Sequence, residues 1–428
     1  MNENYLLKTE GAVRLYREYA KELPIIDYHN HLSVKDLAED RQYEDIYELW
    51  LGSDPYKHRL MRIAGVPEEY ITGAGSPREK FRQFCRIFPY TAGNPVYDWS
   101  RMELSRIFGI DELPSFENAD YLFDRLREML RSPELSAQGI LSRFGVEYHA
   151  PVASLTDDLS NYDGIRCAPS LRADELLSPS EDLKKRLEAV TRVKINSDDD
   201  YIRAVSVMLE SFKSRGCRFA DHALDADFFE GDFEGRARML TRLASEYERY
   251  GFTMLLHIGA KRKTSKRLAA LAGPAGGYAA VGEGFALSRL CDLLGSAEES
   301  GGLPDTVIFP LNLGDSAAVS VLQGSFAQDG VISKVQLGAA WWWCDNKMGI
   351  SHTLDCIASF GTVAHFIGMT TDSRSILSFV RHDYFRRILC SWLDNKNRED
   401  ELGLTPRLEG EIIRKICYEN AKQKIVGV

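Results

Sequence analysis

A chain of 428 residues, 44% hydrophobic and 27% charged, has the make-up of an ordinary globular protein and length enough for a large core. Its 53 Lys+Arg against 63 Asp+Glu leave a formal net charge of -10, a field that repels nucleic acid and anionic membrane and sets both aside as partners. A small anionic ligand stays open, provided that arginines are placed locally to receive it.

The amino terminus, Met1-Asn2-Glu3-Asn4-Tyr5-Leu6-Leu7-Lys8, is too polar for a secretory signal. No apolar run approaches the roughly 20 residues that cross a bilayer. The 8 cysteines are scattered without a C-x-x-C pair, which predicts reduced thiols and a cytoplasmic location. The first predicted strand is the apolar run over 23–28, which leads into His29 and His31. From 34 to 144 the sequence is helix-rich, with tyrosine, tryptophan and arginine interleaved. That length exceeds an ordinary connection and predicts an inserted helical subdomain over the mouth of the fold. Short apolar or β-branched runs follow at 146–152, 165–171, 218–222, 252–257, 306–312, 334–341 and 366–370. A Gly/Pro/Ala-rich stretch over 271–278 reads as a mobile loop after the fifth run, and the chain from about 383 reads as terminal helices. Eight strands alternating with helices predict an α/β class (β/α)8 TIM barrel. Its divisions are 1–33 (N-terminal helix and first strand), 34–144 (helical insertion) and 145–428 (the rest of the barrel with C-terminal helices).

Side chains at i and i+2 of an extended segment share a face, so His29 and His31 can converge on one point at the strand's end. Neutral imidazole is a common metal ligand, and in barrels the C-terminal strand ends form the site. The run Phe366-Ile367-Gly368-Met369-Thr370-Thr371-Asp372-Ser373-Arg374 brings a carboxylate to the end of the last predicted strand. His29, His31 and Asp372 therefore predict a metal site closed across the barrel, with His222 or His257 as a further ligand. Single histidines such as His58 and His352 read as surface or satisfied core residues. Arg172, after the third run, and Arg374, two residues past Asp372, can each grip a carboxylate bidentately and together predict an anionic substrate. Trp341-Trp342-Trp343 could wall a sugar pocket. On a strand only alternate members share a face, so one of the three is expected to line it. The knot Arg381-His382-Asp383-Tyr384-Phe385-Arg386-Arg387 reads equally as a helix surface and as a functional cluster.

The strings Asp27-Tyr28-His29-Asn30-His31-Leu32, Asp54-Pro55-Tyr56-Lys57, His257-Ile258-Gly259-Ala260, Thr371-Asp372-Ser373-Arg374 and Arg381-His382-Asp383-Tyr384-Phe385-Arg386-Arg387-Ile388-Leu389-Cys390 together resemble the uronate isomerases of the amidohydrolase superfamily. The resemblance runs over nearly the whole chain. It implies aldose–ketose isomerisation through a cis-enediol, of D-glucuronate with D-fructuronate and of D-galacturonate with D-tagaturonate. It also implies one divalent metal ion on His29, His31 and Asp372, with His257 as a further ligand; zinc is placed first, with manganese or another ion as alternatives. Asp372 is then the first choice of proton-transfer base, with His31 or Tyr56 shuttling the hydroxyl proton. Arg172, Arg374, His222, Trp341 and Trp342 hold the substrate. The implied partner is the small-molecule hexuronate, with homo-oligomerisation left open.

The chain departs from the family pattern at Leu171-Arg172-Ala173-Asp174, usually Trp-Arg-Pro-Asp, and at Trp341-Trp342-Trp343-Cys344-Asp345, usually Trp-Trp-Phe-Asn-Asp. These changes leave the preferred uronate epimer open. The rival reading is a single-metal hydrolase of the same superfamily acting on an anion. Two-metal hydrolases usually carry a histidine after the sixth strand and a bridging Lys or Glu after the fourth. Here the sixth run ends in Pro310-Leu311-Asn312, and the fourth has no lysine at its end.

Overall fold

A computed structural model of the chain describes residues 1–162, 167–273 and 276–426. Seven strands form one parallel sheet in chain order: β1 (Ile25–Asn30), β2 (Val146–Ser154), β3 (Ser170–Arg172), β4 (Phe219–Leu224), β5 (Thr253–Ile258), β6 (Thr306–Pro310) and β7 (Val335–Leu337). β1, β5 and β6 are buried along their whole length, as parallel strands are when crossover helices cover one face and packed side chains the other. The helix Phe233–Tyr250 between β4 and β5 shows how these crossovers are specified. Asp232 caps it by accepting from Gly235 N, Gly251 ends it at φ 71, and Met239, Leu240, Leu243, Ala244 and Tyr247 form its buried stripe.

The eighth predicted strand, over 366–370, does not form. Gly368 at φ 88 and Asp372 at φ 46 depart from extended geometry, and side chains stand in for the missing ladder. Ile367 N donates to Gln336 Oε1 of β7 at 2.9 Å, Tyr28 OH to Gly368 O at 2.9 Å, and His29 N to Thr370 Oγ1 at 2.9 Å. Backbone pairing returns only past the run, from Asp372 N to His29 O at 3.1 Å and from His31 N to Ser373 O at 2.9 Å. The sheet thus curls until this segment lies between β7 and β1.

Between β1 and β2 the chain passes through seven α-helices, Val34–Ala38 the first and Ala137–Arg143 the last. Trp50, Phe81, Phe84 and Phe88 give this stretch a buried aromatic cluster of its own. One of its helices, α1 (Pro55–Ile63), starts where Asp54 Oδ1 accepts from Tyr56 N at 2.9 Å and Lys57 N at 3.1 Å, with Pro55 in the first turn. Of the third run, Ile165 and Arg166 lie outside the described residues, and the strand itself is Ser170–Arg172. The expected loop over 271–278 is also revised. Leu271 and Ala272 close the helix Lys266–Ala272, and Pro274 and Ala275 lie outside the described residues. Gly277 O and Tyr278 O are tied down by Arg59 at 3.4 Å and Thr264 Oγ1 at 2.6 Å.

The first of the C-terminal helices, α2 (Val380–Glu399), begins before 383 and buries every member of the run from Arg381 to Arg387, so that run is no helix surface. Arg386 is drawn inward by Leu23 O and Pro24 O at 2.8 and 2.7 Å, and Arg387 by Asp383 Oδ2 at 2.7 Å. Among the described residues no helix is long and apolar enough to cross a membrane.

Candidate active site

The ends of β1, β4 and β5 and the segment after Thr370 converge. His29 Nε2 and His31 Nε2 lie 3.4 and 3.1 Å from the same atom, Asp372 Oδ1, and Asp221 Oδ2 lies 3.8 Å from His29 Nε2. Two donors each about 2.1 Å from a tetrahedral ion stand about 3.4 Å apart, so this set fits a divalent cation. His29, Asp221 and His257 form a second, overlapping group of metal-ligand spacing. Asp221 Oδ1 meets His257 Nδ1 at 2.6 Å, and the His257 ring stacks on Phe309 with centroids 4.4 Å apart.

Charge is balanced within this cluster. Burial works against the Asp372 carboxylate, but hydrogen bonds from His29 and His31 outweigh it and hold Asp372 well below the usual carboxylate range. Burial likewise pulls His29 down, yet the Asp221 and Asp372 carboxylates prevail and raise it to about 9. For His31 burial wins over Asp372, and its pKa is lowered. Without a cation His29 therefore carries a proton at neutral pH, and a cation taking Nε2 must displace it.

The cluster opens into a cavity of about 300 Å³. Tyr56 of α1 reaches its wall, its ring edge-on to Trp343 at 5.3 Å and beneath the Arg381 guanidinium at 4.6 Å. Burial pushes the pKa of its hydroxyl up against the opposing pull of the Arg381 guanidinium, so the phenol stays neutral. Arg172 lines the cavity with Nε 3.0 Å from Asp174 Oδ2. Arg374 lines it too, with no carboxylate at ion-pair distance among the described residues. All three tryptophans Trp341, Trp342 and Trp343 face the cavity, where one was expected. The strand has ended at Leu337, and Trp342 at φ 49 opens a 3-10 turn, so the alternation of a strand no longer applies.

His222 is the expected site residue that the structure places elsewhere. It lies on the other face of β4 from Asp221, fully buried, with Nε2 3.0 Å from Tyr247 OH. Burial lowers it from 6.5 to about 4 against the opposing pull of Asp174 and Asp221. The unfolded chain therefore binds more protons between about pH 6.5 and 4, and this contribution to stability is lost as pH falls through that window. His222→Gln should flatten the acid limb of urea-unfolding midpoints measured from pH 7 to pH 4; an unchanged limb would contradict the assignment.

Two cavity residues escape the sequence reading. Asp221 stands beside the histidine that drew attention, and the carboxylate at the fourth run's end was the available signal. Arg262 lies just past β5, bound to Asp225 through Nε at 2.8 Å and set 5.0 Å over the Trp342 ring. The string His257-Ile258-Gly259-Ala260-Lys261-Arg262 carried it past the strand end, where no periodicity points.

An α/β fold with a candidate metal centre at its strand ends, ringed by guanidinium groups, defines the class. A family model described as glucuronate isomerase matches residues 1–238 and 232–424. A uronate isomerase of Caldanaerobacter subterraneus is 36% identical over 470 aligned residues, covering 99% of this chain and 98% of that protein. A uronate isomerase of Geobacillus thermodenitrificans is 36% identical over 458, with the same coverage. The crystal structure of uronate isomerase from Thermotoga maritima superposes with a TM-score of 0.90 at 27% identity, over 99% of each chain. The chain belongs to the glucuronate (uronate) isomerase family, and the hydrolase alternative is not favoured.

Proposed function

We infer that this chain is an aldose–ketose isomerase that interconverts D-glucuronate with D-fructuronate and D-galacturonate with D-tagaturonate. The observation that carries this reading is the meeting of His29, His31 and Asp372 within 3.4 Å in a cavity lined by Arg172, Arg262 and Arg374. His29, His31 and Asp372 would hold one divalent cation, zinc first, with His257 next in reach through the Asp221 group. When bound, that cation supplies Lewis acidity at the sugar carbonyl. Arg172 and Arg374 would clamp the sugar's carboxylate, which fixes C1 and C2 against the cluster. Asp372 turns Oδ1 to both imidazoles, leaving Oδ2 to take the C2 proton and return it to C1 on the same face of the enediol. Tyr56, a neutral phenol at the cavity wall, would pass the hydroxyl proton. Trp341 and Trp342 wall the ring-opened sugar from water. The segment over 366–373 takes the eighth stave of a (β/α)8 barrel in this reading, and 34–144 is a subdomain over its mouth. A cytoplasmic location suits free thiols and a sugar-acid substrate.

Proton NMR of each uronate incubated with purified protein tests this. The ketose signals should grow, stop after chelation and resume on adding zinc or manganese. Spectra unchanged by the protein, or turnover indifferent to the chelator, would overturn the reading.

A further inference from the structure

The outer wall of the cavity is a chain excursion after β5. Ala260–Lys261 pairs antiparallel with Ala280–Val281, and between them runs the helix Lys266–Ala272, none of whose residues is buried. The excursion is fastened at the mouth. Ala279 O accepts from Arg59 at 3.2 Å and from Trp343 Nε1 at 3.1 Å, and Gly277, Ala279 and Arg262 all line the cavity.

Its charge is out of keeping with the rest of the chain. Lys261, Arg262, Lys263, Lys266 and Arg267 put five cations into seven positions of a protein whose net charge is -10. Arg262 is half-buried and neutralised by Asp225. Lys261, Lys263, Lys266 and Arg267 are exposed, and among the described residues none of the four has a carboxylate at ion-pair distance. Crowded like charges repel one another, and an anion approaching the cavity relieves that repulsion.

We propose that this rim is a capture surface for sugar carboxylates, drawing the anion to the mouth before Arg172 and Arg374 seat it; the proposal rests on the isomerase reading. The four exposed cations each contribute a small, salt-screened attraction, together about a three- to tenfold rise in the anion's local concentration at low salt. Aldose and ketose carry the same charge, so the rim attracts both equally. It lowers KM in both directions by one factor and leaves kcat and the equilibrium constant alone.

The test is the triple variant Lys263→Gln, Lys266→Gln, Arg267→Gln, whose three exposed side chains make no hydrogen bond or ion pair among the described residues. With the metal-loaded protein, KM for glucuronate and for fructuronate should both rise about two- to sixfold at low salt, since Lys261 is kept. kcat should stay within about twofold, and the fall of kcat/KM from about 0.01 M to about 0.3 M salt should flatten. D-gluconate affinity, read by tryptophan fluorescence, should weaken by the same factor without any turnover being needed. Equal KM, salt slope and D-gluconate affinity in variant and parent would overturn the rim, as would a parent that does not bind D-gluconate. A parent that binds D-gluconate more tightly than the variant but isomerises no uronate would instead overturn the isomerase reading and leave the rim standing.

Discussion

Asp372→Asn should fold normally and lose about 10³-fold or more in turnover, together with most of its bound metal. The folding half of this follows from the backbone. Asp372 sits at φ 46, a left-handed conformation that asparagine adopts more readily than most residues. The carboxamide is also nearly the carboxylate's shape, so the bonds from Asp372 N to His29 O and from His31 N to Ser373 O can persist. The chemical half follows from charge. Oδ1 is the atom that both imidazoles face, and its negative charge helps to hold His29 at about 9. An amide offers a neutral oxygen or an NH2 at that point, a poor ligand in one orientation and none in the other. It also removes the group proposed to carry the C2 proton. Circular dichroism should match the parent, metal analysis should fall below one ion per chain, and NMR should show no ketose. Retained turnover would remove Asp372 from the base role.

What the sequence disclosed about this site depended on local periodicity. His29 and His31 were legible because an i, i+2 pair on an extended segment must share a face. Asp372 was legible only by its place after an apolar run; that run makes no ladder, because Gly368 turns out of extended geometry and Gln336, Thr370 and Tyr28 supply the bonds instead. At β4 the parity is ambiguous. Asp221 and His222 are neighbours, and nothing local says which of them faces the cavity. Pairing of β4 between β3 and β5 decides it, and that is a tertiary fact. The tryptophan run was misjudged for a related reason, since a strand was assumed where a turn at Trp342 brings all three rings to one wall. Arg262 and the cations around it belong to an excursion whose paired strands and helix Lys266–Ala272 are too short to show a period in the sequence, where composition alone was available.

Asp27→Asn should cost about 2–4 kcal/mol of stability and lower kcat about 10- to 100-fold with KM little changed. Asp27 touches no part of the cavity and is fully buried. Its Oδ1 accepts from Thr371 N at 2.6 Å and Thr370 Oγ1 at 3.0 Å, with His382 Nε2 of α2 at 3.1 Å; its Oδ2 accepts from Thr371 Oγ1 and Asn30 Nδ2, both at 2.8 Å. One carboxylate thus binds β1, the segment that carries Asp372 and helix α2 into one block. An amide replaces one acceptor by a donor. Whichever way it turns, its NH2 confronts donors of Thr371, and at least two buried N–H or O–H groups lose their acceptor. Thr371 precedes Asp372 directly, so the error reaches Asp372 Oδ1 and its distances to His29 and His31. Thr371→Ser keeps the hydroxyl and should behave almost as the parent, whereas Thr371→Val loses one bond and should fall between. The order parent, serine, valine, Asp27→Asn should appear in urea midpoints, in kcat, and in the visible spectrum of the cobalt-substituted protein, which reports ligand geometry without turnover. A cobalt spectrum unchanged in Asp27→Asn, with kcat intact, would reduce Asp27 to a residue of stability alone.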